Sequence, residues 1–271
     1  MARLLIFFSK MAYKAQRTLF QGGFTSDIEK AIDPDIVISR YGRMWRFSKP
    51  IYKHEFVMGK LGYMTSGKET KTYYDEKRKD FIEQPVDMKQ GHYVQWVVDL
   101  STQVIAFETK PPDIRYQSFV GAFKDLLNEN PDTNLTIESI VESDKFFEWA
   151  KKVDRVTKFT AKLRTPNPDF ASRPRIIREL LEDTDADSAK VEINKNRESD
   201  ETLNTEKTIR DLVEYGEEGY STVIAHGFKD GTRRIFDSKR QTPIERIDVF
   251  LPIGVEKIWN HIVQALKKFR K

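Results

Sequence analysis

The segment Gly91–Lys110 constrains the fold more than any other stretch of the chain. HYVQWVVDL and QVIAFETK are two runs rich in β-branched and aromatic residues, joined at Leu100–Ser101–Thr102 and stopped by Pro111–Pro112. This pattern predicts an antiparallel hairpin. A helix is predicted directly after it, over Ile114–Asn128, because Phe119, Phe123, Leu126 and Leu127 recur near helical spacing. A further hairpin is expected around Lys229–Asp230–Gly231, Tyr52–Lys60 and Leu61–Ser66 read as extended with Gly59 and Gly62 as bulge or turn points, and strands are expected at Arg3–Ser9, Leu135–Val141, Asp154–Arg164, Ala189–Asn194 and Ile244–Phe250. The alternation of Asp154–Arg164 slips at Thr157–Lys158, which suggests a bulge there.

Helices are expected at Tyr13–Phe20, at Ser26–Ala31 with Ser26 as cap, at Ser143–Ala150 with Ser143 as cap, at Arg175–Glu182 and within Leu203–Tyr215. A closing helix should run from Pro252 to Phe269 with an apolar stripe. Residues 65–90 are polar and read as an exposed loop or the tip of an excursion. Recurrent hairpins between helices make this α+β rather than a doubly wound parallel sheet. We expect two lobes of mixed or antiparallel sheet with packed helices: residues 1–150 with a basic–aromatic segment, and 151–271 with the closing amphipathic helix.

Charge is distributed unevenly. The net charge is +4 overall, but residues 1–80 carry +7, residues 81–200 carry −5 and residues 201–271 carry +2. A basic first third is the part suited to a polyanion. Its centre is Arg40–Lys60, where Tyr41, Trp45, Phe47, Tyr52 and Phe56 stand among six cations and one acid. Cations suit phosphates and flat rings suit bases. Pro50, Gly59 and Gly62 make the segment bent and extended, so it is not one recognition helix; the aromatics, Trp45, Phe47 and Tyr52 among them, are expected towards the core. The candidate phosphate contacts are Arg40, Arg43, Arg46, Lys49 and Lys53, with Lys77 and Arg78 from the polar excursion and Lys229, Arg233, Arg234, Lys239 and Arg240 around the C-terminal hairpin.

A second reading is catalytic. Asp99 ends one run of the first hairpin, and Glu108–Thr109–Lys110 ends the next. This resembles the D…ExK arrangement of PD-(D/E)xK nucleases, in which two carboxylates hold Mg²⁺ and a lysine steadies the attacking water. Val98 stands where those enzymes carry proline, and the leading reading is non-catalytic with no cofactor; Mg²⁺ belongs to the nuclease alternative only. His54, His92, His226 and His261 lack metal-ligand spacing, and Asp183, Asp185 and Asp187 lack the glycine and closing glutamate of an EF-hand. Cysteine is absent, which removes disulfides, thiolate catalysis and cysteine metal sites and suits a cytoplasmic protein. No apolar run approaches the roughly 18 residues of a membrane span, so no membrane insertion is expected. A third reading is a protein–protein module or inhibitor docking through the aromatics of Arg40–Lys60.

The hairpin–helix unit His92–Leu127 resembles that of the RexA phage-exclusion and RdgC nucleoid proteins. The segments Val156–Asn196 and Leu203–Glu214 are similar in layout to the C-terminal half of RexA, and the plan also resembles KwaB-type phage-defence proteins. The resemblance implies a homodimer that binds double-stranded DNA without strong sequence preference in antiphage defence or phage exclusion, acting with a second defence-system protein. It lies in the order of elements, and no individual residue is carried over from it.

Overall fold

A computed structural model describes residues 2–13, 23–131, 133–164, 181, 184, 186, 188–196, 201–240, 243–249 and 254–267. The expected helices at Tyr13–Phe20 and Arg175–Glu182 fall almost wholly outside these residues, as do Asp183, Asp185 and Asp187. Two antiparallel sheets carry the fold, which is α+β as expected.

The first sheet is ordered β13-β1-β7-β6-β5-β3-β2. Its strands are β1 (Ala2–Tyr13), β2 (Ile38–Arg40), β3 (Arg43–Phe47), β5 (Phe56–Asp75), β6 (Asp80–Asp99), β7 (Val104–Glu108) and β13 (Ile244–Val249). Two more strands join it: β4 (Ile51–Lys53) beside β5, and β8 (Leu135–Ser139) beside the far half of β1. The predicted hairpin at Gly91–Lys110 is present as β6–β7, with Asp99 opposite Val104. All five β7 residues are buried because both faces of the sheet are covered.

One face packs on α1 (Phe24–Ala31) and α2 (Tyr116–Leu127). Here Phe107 stacks on Phe119 at 3.8 Å, and Phe123 meets both Trp96 and Phe47 edge-on. Trp45 and Phe47 are buried as expected, whereas Tyr52, expected with them, and Tyr41 are exposed, because β4 and the β2–β3 turn lie at the sheet edge. The opposite face packs on α5 (Val255–Lys267), whose Ile258, Ile262, Ala265 and Leu266 follow an i, i+4, i+7, i+8 stripe onto Leu4, Ile6, Phe8, Val97 and Ala106. Burying each large apolar side chain contributes about 1.5–3 kcal/mol.

The second sheet is ordered β10-β9-β11-β12: β9 (Arg155–Arg164), β10 (Ser188–Asn194), β11 (Ser221–Lys229) and β12 (Thr232–Asp237). Helices α3 (Ser143–Lys152) and α4 (Thr208–Glu217) cover it, centred on Phe146, Phe159 and Phe236. The register slips between His226 and Gly227, which pair with Lys158 and Val156. Thr157 is therefore the extra residue, where the alternation of the sequence breaks.

Other expectations are corrected. Helix α1 begins at Phe24 behind Gly23 rather than with a Ser26 cap, and α3 follows Glu142 with no side-chain cap. Residues 65–90 are a regular two-stranded arm, not a loop: β5 and β6 stay paired from Phe56↔Asp99 to Asp75↔Asp80. Thr70, Thr72, Tyr73 and Tyr74 suit the ladder, and Asp75 accepts from the Lys77 and Arg78 amides in the turn. The strands also do not follow a division at residue 150. Strand β13 returns to pair with β1, and α5 returns to cover the same sheet, because that edge and that apolar face are otherwise uncovered.

Candidate nucleic-acid interface

The structure does not bring the nuclease-like trio together. Asp99 lies at the turn end of β6 and pairs with Val104, four residues before Glu108, so the backbone positions of the two acids stand about 13 Å apart along the hairpin. A shared Mg²⁺ needs both within about 2.1 Å of the ion. Each carboxylate has a structural partner. Asp99 Oδ1 accepts from the Ser101 hydroxyl at 2.7 Å and the Ser101 amide at 3.0 Å, which closes the β6–β7 turn. Buried Glu108 accepts the Gln95 amide at 2.9 Å and pairs with Lys110 Nζ at 3.1 Å. Among the described residues no group of three His, Cys, Asp or Glu could hold a metal ion.

The twelve candidate cations do not form one surface either. Arg40 is paired with Asp125 on α2 and lies over Tyr41. Arg43 donates to the Asp113 carbonyl at 2.6 Å and covers the Tyr63 ring at 4.2 Å. Tyr63 in turn stacks on His92, which faces Asp113 at 3.3 Å. Burial pushes the Tyr63 phenol up against the opposing pull of Arg43. These groups clamp the base of the arm and are satisfied by one another.

Lys77 and Arg78 sit at the arm tip, where Asp75, Glu76 and Asp80 balance them; residues 65–90 carry six cations and six acids. Arg233 and Arg234 are neighbours on β12 and so point to opposite faces of the second sheet. Arg233 donates to His226 Nδ1 at 2.9 Å, and burial together with Arg233 and Lys158 holds that imidazole below its ordinary pKa. Arg240 pairs with Asp237 at 3.4 Å. Lys229 and Lys239 are exposed near the same hairpin.

A different cationic row is assembled by strand register. Arg46 on β3 is opposite Gly62 on β5, which is opposite Tyr93 on β6, and Lys110 continues the row beyond β7. Paired residues share a face, so this row crosses four strands on the side that α5 covers further along. Tyr93 is 40% exposed. Lys60 Nζ lies 4.7 Å from its ring centre and Lys110 Nζ 4.6 Å, one from each flanking strand. Glu108 and the Tyr93 carbonyl hold Lys110 in place. Arg46 and Lys60 have no acidic partner among the described residues. Gly62 lets β6 approach closely at Tyr93: a Cβ there would sit 2.8 Å from Tyr93 Cβ and 2.2 Å from the His92 carbonyl oxygen. The result is an exposed ring ringed by cations on an open sheet, an arrangement that can stack a base and hold its phosphates.

A family model described as a domain of unknown function, DUF4747, matches residues 27–246. The chain belongs to the DUF4747 family. No curated protein matches it. The DUF4747 segment begins within α1 and ends within β13, so it takes in the arm, the cationic row, the second sheet and the first sheet apart from β1 and the end of β13.

Sequence reasoning named Arg46 and Lys110, the latter in another role, and missed Lys60 and Tyr93 as site residues. The available signal was alternation: Lys60 and Gly62 on one run, Tyr93 and Gln95 on the other, share a parity that puts them on one face. No spacing in the sequence says that these two runs pair in this register.

Proposed function

We propose that this DUF4747 protein binds nucleic acid with little sequence preference, through the sheet face around Tyr93. The observation that carries the reading is the exposed Tyr93 ring between Lys60 and Lys110, with Arg46 two strands away. Every base has a face that can stack on such a ring, and Lys60 and Arg46, which have no acidic partner among the described residues, can meet phosphates while Lys110 stays held by Glu108. An open ring favours an unpaired base over the duplex backbone that the sequence suggested. The exposed hairpin cations Lys229, Arg234 and Lys239 are secondary phosphate contacts in this reading. Action as a homodimer in phage exclusion or antiphage defence, beside a second defence protein, belongs to the same proposal and rests on the RexA-like layout.

Fluorescence anisotropy with labelled single- and double-stranded oligonucleotides across a salt series tests it. Binding should weaken linearly in log salt and favour the single strand; absent or salt-independent binding overturns it.

A second reading has its own observation. Tyr73, Tyr74 and Phe81 are exposed at the end of the charge-balanced arm, Phe81 at 69%. Such a tip suits a protein surface better than a polyanion. Light scattering of the full chain, with and without residues 67–88 replaced by a short turn, tests whether the arm holds an oligomer together.

A further inference from the structure

We propose that the cleft between the β4–β5 turn and α5 is a nucleotide pocket, built to hold one heteroaromatic base with its phosphate. The cleft has a volume of about 320 Å³, within the range of small-molecule sites. Its walls are apolar and partly aromatic: Phe56 and Met58 from β5, Trp259 and Val263 from α5. Its rim carries the cations Lys53 and Lys267 on opposite sides, with the His54 imidazole beside Lys53, against the single acid Glu256. Asn260 also lines it and offers both a donor and an acceptor, the pairing that an adenine-type edge takes.

Partnering distinguishes this cleft from its neighbour. The 170 Å³ hollow at the base of the arm is lined by His92, Lys110 and Asp113, and each of them is already paired within the protein. In the cleft the reverse holds. Among the described residues, the side chains of Lys53, His54, Glu256, Asn260 and Lys267 have no hydrogen-bond or ion-pair partner. These five side chains are exposed at the edge of one hollow floored by Phe56, Met58, Trp259 and Val263, so a ligand seated on that floor can reach them without breaking an internal pair.

The backbone fixes where the rim lies. Lys53 pairs with Phe56, so His54 and Glu55 form a two-residue turn at the mouth of the cleft. His54 adopts φ +52°, the left-handed region that costs a non-glycine residue about 1 kcal/mol or more. A left-handed residue is what a two-residue hairpin turn requires, and Tyr41, Lys79, Gln103 and Asp230 adopt it in turns too; here it sets the imidazole at the rim.

Base chemistry fits better than a fatty acid or a simple anion. An acyl chain leaves Asn260 unpaired, and a lone phosphate leaves the aromatic walls uncovered. The shared chemistry is a nucleoside monophosphate, whether free or as the terminal nucleotide of a strand. Met58 is two residues from Lys60 on the same face of β5, so a strand on the Tyr93 face runs toward the cleft. The pocket itself does not depend on that face.

Isothermal titration of the full chain with AMP, GMP, CMP and dTMP, against adenosine and inorganic phosphate, tests the pocket. At least one monophosphate should bind saturably, about tenfold or more tighter than either control. Lys53→Ala/Lys267→Ala should weaken it about tenfold or more, with thermal unfolding unchanged because both side chains are at the rim. His54→Gly should weaken it without loss of stability. Arg46→Ala/Lys60→Ala should leave it unchanged, which separates this pocket from the strand-binding face. Competition by linear 5′- or 3′-phosphorylated oligonucleotides, but not circular ones, assigns a strand terminus; competition by neither assigns the free nucleotide. No saturable binding of any monophosphate and none of a phosphorylated oligonucleotide end, or binding that survives Lys53→Ala/Lys267→Ala, overturns the proposal.

Discussion

Lys10 Nζ donates to the Thr102 carbonyl at 2.7 Å, and this contact lies where the two sheets meet. Lys10 belongs to β1 and is buried at 2% exposure. Its ammonium lies 5.1 Å from the ring of Tyr220, the residue just before β11, with the acids Glu218 and Asp99 also acting on it. Burial pushes it down to about 7, while Glu218 and Asp99 pull the other way. Gly219, at φ +83°, closes over the lysine stem: a Cβ there would sit 2.1 Å from Lys10 Cβ.

A stability profile should report this lysine. Its folded pKa of about 7 lies below its ordinary 10.5, so between those values the unfolded chain binds more protons and stability rises with pH. The slope from this one group is at most about 1.4 kcal/mol per pH unit. Urea unfolding at several pH values across that window should show the rise in the wild type and lose it in Lys10→Met. A Lys10→Met profile parallel to that of the wild type would remove Lys10 as its source.

Binding to single strands should depend on the ring and on the cations in different ways. Tyr93→Ala should cost about 1–3 kcal/mol of affinity, whereas Tyr93→Phe should cost little. Lys60→Ala and Arg46→Ala should each lower the slope of log affinity against log salt by about 0.7 for one lost phosphate contact. Anisotropy titrations at several salt concentrations separate the two effects.

Gly62→Ala should destabilise the protein by about 2 kcal/mol or more, because the new methyl meets the His92 carbonyl and Tyr93 Cα at 2.2 and 2.9 Å. Backbone atoms cannot swing aside as a flexible side chain can. Strand affinity should fall as Tyr93 is displaced. Denaturant midpoints beside binding curves check both, and an unchanged midpoint would contradict the close approach.

Asp99→Ala should destabilise by about 1–3 kcal/mol through loss of the turn hydrogen bonds and exposure of Lys10 to an unbalanced site. Addition of Mg²⁺ should leave the melting temperature of the wild type unchanged, since Asp99 and Glu108 are held apart by the register. A Mg²⁺-dependent rise that Glu108→Gln abolishes would restore the nuclease reading.

Much of the fold is legible locally. The β6–β7 hairpin, α2, the final hairpin and the bulge at Thr157 follow from alternation, helical spacing and a Gly-containing turn. The arm was less legible, because polar alternation over residues 65–90 resembles a loop until the partner strand is known. The site was less legible still. Arg40 and Arg43 look like Arg46 in composition, yet Asp125 and Asp113 engage the first two and leave the third exposed.

Sequence alone determined the α+β class, the hairpins and the amphipathic helices, because these depend on periodicities within ten to twenty residues. Tertiary structure decided everything that depends on register and return. It set Asp99 and Glu108 at opposite ends of one hairpin and put Lys60 and Lys110 on either side of Tyr93. It also brought α5 back across the first sheet to face His54. A one-residue slip in pairing would turn every one of those side chains to the other face, and nothing local in the chain fixes that choice.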